Sequence, residues 1–200
     1  MTSLYETHAT KLLTRVKQLL SETDWTLVSN TNDVILENKS FPEICAIDCF
    51  RANGFVNHQP EDLWNEIWNE NERSLKAKDP DISEWKVVEL GENYKVYTQV
   101  NRMPWPLWFR HACCAQVRMQ EDNCYWILIF SVDHEKAPLD TTMYVRPIVH
   151  MSVYKFENEG TGSRVSKIGH IDPSGNIPAY VVNMYASKLT KPLLDWKAKY

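Results

Sequence analysis

A surplus of basic residues is missing from this chain: 22 lysines and arginines stand against 26 aspartates and glutamates, a net charge of −4. A surface that binds phosphate backbones shows as a basic excess or cluster, so no nucleic-acid partner is expected. A C-x-x-C pair is missing too. Cys45, Cys49, Cys113, Cys114 and Cys124 form an odd set without disulfide or zinc-ligand spacing, and they read as buried free thiols on strands. His111, His134, His150 and His170 have no ligand spacing either, so neither metal nor cofactor is expected. No apolar run reaches the ~18 to 20 residues of a membrane span. Residues 1–20 lack the charged, apolar and small-residue order of a secretory signal, which predicts a cytoplasmic protein. Without an internal repeat or low-complexity tract, the 200 residues are expected to form one domain over 1–200.

What is present is alternation and periodicity. Ala9, Leu12, Leu13, Val16, Leu19 and Leu20 give residues 3–20 the apolar face of a helix. Residues 25–29 and 34–37 read as a hairpin, and residues 44–55 as a strand with Cys45, Ile47 and Cys49 on one face and a bulge or close contact at Gly54. Gln59-Pro60-Glu61-Asp62 opens a second helix whose buried edge is Leu63, Trp64, Ile67 and Trp68. The polar stretch 69–83 is expected to be a loop. Strands follow over 84–90 and 94–101. Pro104 and Pro106 exclude a regular strand interior around Trp105, Trp108 and Phe109. Further strands are expected over 111–120, 124–133, 143–157 and 163–171. That over 124–133 is apolar on both faces, with Trp126, Leu128, Phe130 and Val132 against Tyr125, Ile127 and Ile129, and is placed centrally in the sheet.

The chain ends on a turn and a long helix. In Asp172-Pro173-Ser174-Gly175 proline presets φ and glycine tolerates positive φ, while Pro178 suits a first helical position. Val182, Tyr185, Leu189, Leu193, Trp196 and Tyr200 then recur at helical steps as an apolar stripe. Pro192 is expected to kink this helix. Lys188, Lys191, Lys197 and Lys199 suit a helix C-terminus and read either as a solvated face or as attraction for anionic headgroups. The element order is α+β with a large antiparallel sheet. A curled sheet closed by one amphipathic helix leaves room for an apolar cavity between them.

Four stretches resemble the steroidogenic acute regulatory protein-related lipid-transfer (START) domains. Ile171-Asp172-Pro173-Ser174-Gly175-Asn176-Ile177-Pro178-Ala179-Tyr180-Val181-Val182-Asn183 is similar to the signature at the start of that family's last helix. Pro104-Trp105-Pro106-Leu107 with Arg110, Ser131-Val132-Asp133-His134-Glu135-Lys136-Ala137-Pro138, and Tyr144-Val145-Arg146 match in order at family spacing. The resemblance covers nearly the whole chain. It implies a helix-grip fold, a curved antiparallel sheet wrapped around the C-terminal helix, with a tunnel that holds one lipid. Some positions differ from the family. Gln99 and Ala112 stand where phosphatidylcholine-transfer members box the choline cation with aromatic rings. Tyr97 and Gln116 stand where sterol-transfer members carry an acid and an arginine. The stretch around residues 76–79 also diverges.

The lipid contacts expected are Trp105, Arg110, Ala112, Cys114, Gln99, Gln116, Leu128, Phe130 and, on the closing helix, Val182, Tyr185, Leu189, Leu193 and Trp196. Arg110 is the candidate polar contact to a phosphate or carboxylate, with a salt bridge to a nearby acid as the plainer role. The loop 134–143, with Ala137, Pro138, Leu139 and Met143, is expected to gate the tunnel at a membrane surface. The leading function is non-catalytic binding and transfer, or sensing, of one phospholipid, sterol or fatty acid by a monomer that touches membranes transiently. Each CH₂ hidden from water contributes ~0.8 kcal/mol, so a sixteen-carbon chain represents on the order of 12 kcal/mol of apolar burial. The alternative is a cyclase or hydrolase on a related scaffold acting on an apolar substrate, which would need a convergent acid/base pair in the cavity, for example His111 or His150 with Asp133 or Glu135.

Overall fold

The computed structural model describes residues 3–175, 177 and 179–200, with the side chains of all of these except 179–185 and 187. Helix α1 (Leu4–Ser21) starts at a capping box in which the Ser3 side chain accepts from the Glu6 N–H and Glu6 accepts from the Ser3 N–H. Strands β1 (Thr26–Thr31), β2 (Val34–Lys39) and β3 (Cys49–Val56) follow, then α2 (Pro60–Trp68) and α3 (Glu72–Lys78). Next come β4 (Ile82–Leu90), β5 (Tyr94–Asn101), β6 (Phe109–Glu121), β7 (Cys124–Ser131), the short β8 (Tyr144–Val145), β9 (Ile148–Glu159) and β10 (Gly162–Asp172). Helix α4 (Ala179–Lys199) ends the described fold.

The strands form one sheet in the order β1-β2-β3-β10-β9-β7-β6-β5-β4, antiparallel apart from β8, which runs parallel to β6. It is curved and not closed, with β1 and β4 as edges. Register shifts within β1–β2, β4–β5 and β9–β10 bend individual strands.

Alternation sorts each strand between two cores. On one face Cys113, Ala115, Val117, Trp126, Leu128, Phe130, Met151, Val153 and Ile168 pack against Ala9, Leu13, Val16 and Leu19 of α1. On the other, Val34, Ala52, Val56, Ile127, Tyr154, Phe156 and Val165 meet Leu63 and Ile67 of α2 and Ala186, Leu189, Leu193 and Trp196 of α4. The double apolar character of β7 is the consequence, since this strand lies between β9 and β6 and is covered on both sides.

Two glycines set the height of α4 above the sheet. A Cβ on Gly54 would stand 3.2 Å from Val34 Cγ2 and 3.5 Å from Leu193 Cδ2, and one on Gly169 only 2.8 Å from Leu189 Cδ1. Gly54 is thus a site of close approach rather than a bulge. The turn before α4 is built as its residues dictate: the Asp172 carboxylate accepts from the Ser174 N–H at 2.7 Å, and Ser174 and Gly175 adopt φ of 58° and 80°. Asn176 and Pro178 lie outside the described residues. The helix continues through Pro192.

Several boundaries differ from the sequence-based expectation. The stretch 69–83 contains α3, because Asn71 and Ser74 form a capping box and Lys76 pairs with Glu72 one turn away at 2.8 Å. Residues 44–48 are turns and bends, so Cys45 and Ile47 do not share a strand face with Cys49. The strand expected over 143–157 is split into β8 and β9 at Pro147. Cys49, Cys113 and Cys114 are buried, and burial pushes the Cys49 and Cys114 thiols up to about 12; Cys45 and Cys124 are half-buried.

Glu66 ties the three later helices together. It accepts from Trp196 Nε1, Lys78 Nζ and Lys199 Nζ, each at 3.1 Å. Burial by itself would raise the pKa of this carboxyl, but the hydrogen bonds from Trp196, Lys78 and Lys199 outweigh it and bring the group from 4.5 to about 2. A carboxylate with a depressed folded pKa stabilises the fold above its unfolded value, and that contribution fades as pH falls from about 4.5 towards 2. Urea unfolding of the wild type and Glu66→Gln should therefore give a gap in midpoint that is constant above pH 5 and shrinks through this window. A gap unchanged down to pH 3 would remove Glu66 from this role.

Candidate lipid-binding site

Between the sheet and α4 lies a cavity of about 530 Å³, and a smaller recess of about 120 Å³ shares part of its wall. The strand order explains the space. Leu189 and Leu193 fix α4 over β3 and β10, while β5 and β6 curve away on the far side and α4 does not fill the volume above them. The floor consists of Tyr97 from β5, Ala112 and Cys114 from β6, Ile129 from β7, Val149, Ser152 and Tyr154 from β9, and Lys167 and Ile171 from β10. Tyr97, Ala112, Cys114 and Val149 pack together as a small apolar cluster with Trp85, Ile129 and Ile171. Burial raises the pKa of the Tyr97 and Tyr154 hydroxyls, keeping both neutral.

Of the residues expected to contact lipid, Gln99, Arg110, Ala112, Cys114 and Trp196 line the main cavity, and Leu189 lines the recess. Gln99 donates to the Asn101 side chain at 3.0 Å. Arg110 is buried, and its guanidinium donates to the carbonyls of Trp108, Pro173 (2.8 Å) and Ser174 (2.8 Å). Neither an acid nor the cavity receives these three bonds; they fasten the turn before α4 to the start of β6.

Five expected lipid contacts are corrected: Leu128, Phe130, Leu193, Gln116 and Trp105 do not line the cavity. Leu128 and Phe130 face α1, because residues two apart on a strand share a side and theirs is the face away from α4; their neighbour Ile129 lines the cavity instead. Leu193 is fully buried between α4 and the sheet and does not line the cavity. Gln116 shares the face of Ala112 and Cys114 but is not part of the lining; it is buried, with Nε2 lacking a partner among the described residues. Trp105 is 91% exposed, with Trp108 and Phe109 also on the surface. Among the gate residues, Ala137 is buried in the core on the α1 side and its carbonyl accepts from Arg146 Nη2 at 2.8 Å, while Pro138 and Met143 are exposed and Leu139 is half-buried; none of the four lines the cavity. The side chains of Val182 and Tyr185 fall outside the described residues.

The four lysines of α4 are neither free nor simply solvated. Lys188 bonds Asp79 and Asp81 (2.8 and 2.7 Å), Lys191 pairs with Asp195 (2.6 Å), Lys197 with Asp33 (3.8 Å) and Lys199 with Glu66 (3.1 Å). Through Lys188, α4 is linked to the segment after α3.

The pairing of His111 or His150 with Asp133 or Glu135 does not converge in the cavity. His111 stacks beside Tyr144 and His150 beside His170, neither lines the cavity, and Asp133 and Glu135 are exposed. Among the described residues no group of three His, Cys, Asp or Glu side chains is placed to hold a metal ion, and no helix is long and apolar enough to cross a membrane.

Sequence reasoning missed Ile129, Val149, Ser152, Tyr154 and Lys167. The signal was present for the last of these: Val165, Lys167 and Gly169 alternate on one face of β10, and a lysine between an apolar residue and a glycine that a helix touches is out of pattern for a solvated face.

Comparison with known proteins agrees with this architecture. Three human structures share the fold. StAR-related lipid transfer protein 5 superposes with a TM-score of 0.84 at 15% identity, covering 99% of this chain and 97% of its own. STARD10 gives 0.77 at 18% identity (94% and 76% covered). The lipid transfer and protein localization domain of StarD13 (DLC2) gives 0.69 at 22% (92% and 93%). No curated protein matches in sequence. The family model described as START domain matches residues 3–194, nearly the whole of the α1-to-α4 fold, and the chain belongs to the START domain family.

Proposed function

We propose that this protein binds one lipid in the cavity between the sheet and α4 and carries it between membranes, or reports its presence, without altering it chemically. The observation that carries this reading is the largely apolar space of about 530 Å³ between the sheet and α4. The apolar burial it offers is what a lipid chain needs to leave a bilayer.

The loop carrying Pro138, Leu139 and Met143, together with α4, gives way to admit the chain. Support comes from how the loop is held: Arg146 ties its base by donating to the carbonyls of His111 and Ala137, and the tip beyond Ala137 projects outward. Trp105, Trp108, Phe109 and Met143 make the membrane contact. Phe109 and Tyr144 are register partners, which brings the exposed end of β6 beside Met143, and amphipathic aromatics suit a membrane interface. The protein works as a cytoplasmic monomer, with lipid and membrane surface as its partners and no nucleic acid.

Native mass spectrometry of the purified chain, with extraction of whatever co-purifies, should show one lipid per protein. Ala112→Trp fills the floor and should lower lipid occupancy at least tenfold with the far-ultraviolet circular dichroism unchanged. A chain that is empty and transfers no lipid class between liposomes would contradict the reading.

Trp105→Ala combined with Trp108→Ala should slow transfer between liposomes several-fold and leave equilibrium lipid affinity unchanged. Transfer at the wild-type rate would remove the aromatic cluster from the membrane contact.

A further inference from the structure

Among the described residues around the cavity, every charged side chain but one has an ion-pair or hydrogen-bond partner. At the rim Glu66 bonds Lys78 and Lys199, Glu70 bonds Lys78, Lys188 bonds Asp79, and Lys191 pairs with Asp195. Arg102 and Arg110 donate to carbonyls, and Asp48, at the smaller recess, accepts from Asn38. Lys167 has neither an ion pair nor a hydrogen bond among the described residues. It is 9% exposed, lines both the cavity and the recess, and its ammonium rests 4.8 Å from the centre of the Tyr154 ring.

An unpaired ammonium in such a place costs stability, and a ligand that brings the opposite charge offsets that cost. Burial lowers the pKa of Lys167 to about 8, with Glu70 acting weakly in the other direction, so at neutral pH most molecules still carry the charge. Tyr154 is the register partner of Lys167 and Ser152 that of Gly169, so two hydroxyls share the wall with the ammonium and can donate to the same anion.

We propose that the cavity takes an amphiphile with an anionic head, a carboxylate or a phosphate, and that Lys167 binds that head while an apolar chain lies along Tyr97, Ala112, Cys114 and Val149. This rests on the lipid-binding reading above.

The test is titration of the full chain with palmitate, hexadecyl phosphate and methyl palmitate, using the wild type, Lys167→Met and Lys167→Arg. Wild type should bind at least one of the two anions at least tenfold more tightly than the ester, and the tighter of the two anions identifies the head as carboxylate or phosphate. Lys167→Met should lose at least tenfold for that anion and less than twofold for the ester, and Lys167→Arg should keep most of the affinity. The unliganded Lys167→Met protein should melt ~2–4 °C higher than the unliganded wild type, since a buried charge is gone. Lys167→Gln provides the same comparison should the methionine variant not fold. Equal wild-type affinity for ester and anions, or an unchanged anion affinity in both uncharged variants, overturns the role of Lys167 and leaves lipid carriage standing. Failure of wild type to bind any of the three probes, together with no transfer of any lipid class between liposomes, overturns both.

Discussion

Leu193 above Gly54 and Leu189 above Gly169 fix where α4 can lie, and most of the molecule follows from that seating. A helix held close over β3 and β10 cannot also cover β5 and β6, because the sheet between them is curved and open. The uncovered part of that face forms the floor of the cavity. Its rim is lined by α2, α3 and the ion pairs of Glu66, Glu70 and Lys188. The opposite face of the same strands is packed solid by α1. One face therefore supplies stability and the other the cavity, and β7 is apolar on both sides because it serves both.

Polar groups around this interior have a consistent division of labour. Arg110 spends its guanidinium on the carbonyls of the turn that starts α4, so it positions the closing helix. Lys188 and Glu66 hold the later turns of the helix from outside. Among the described residues lining the cavity, Lys167 has neither an ion pair nor a hydrogen bond, and it shares the wall with the hydroxyls of Tyr97, Ser152 and Tyr154, the amides of Gln99 and Asn101 and the Arg110 guanidinium.

Much of the fold was legible because its signals are local. The apolar face of residues 3–20, the turn residues of Asp172-Pro173-Ser174-Gly175 and the central strand at 124–131 each declare themselves within a short window. The site was legible only in part. Period-two alternation separates Tyr125, Ile127 and Ile129 from Trp126, Leu128 and Phe130, but which set faces α4 depends on pairing with strands far away in sequence, and the wrong set was chosen. Leu189, Leu193 and Trp196 share one stripe, yet only the underlying geometry separates the core residue Leu193 from the two that line space. Trp105 was misplaced for a related reason, since a run of aromatics between prolines reads equally as something to bury and as something to display. Helix α3 escaped notice because its stability comes from capping and ion pairs, with no apolar face to mark it.

Photolabelling tests the central claim most directly. A palmitoyl chain carrying a diazirine, equilibrated with the protein, irradiated and mapped by peptide mass spectrometry, reports which wall the chain touches. The account predicts labels on residues such as Tyr97, Ala112, Cys114, Val149 and Trp196, with none on Leu128 or Phe130. Labels concentrated on the α1 face, or confined to the exposed Trp105 and Trp108, would contradict it.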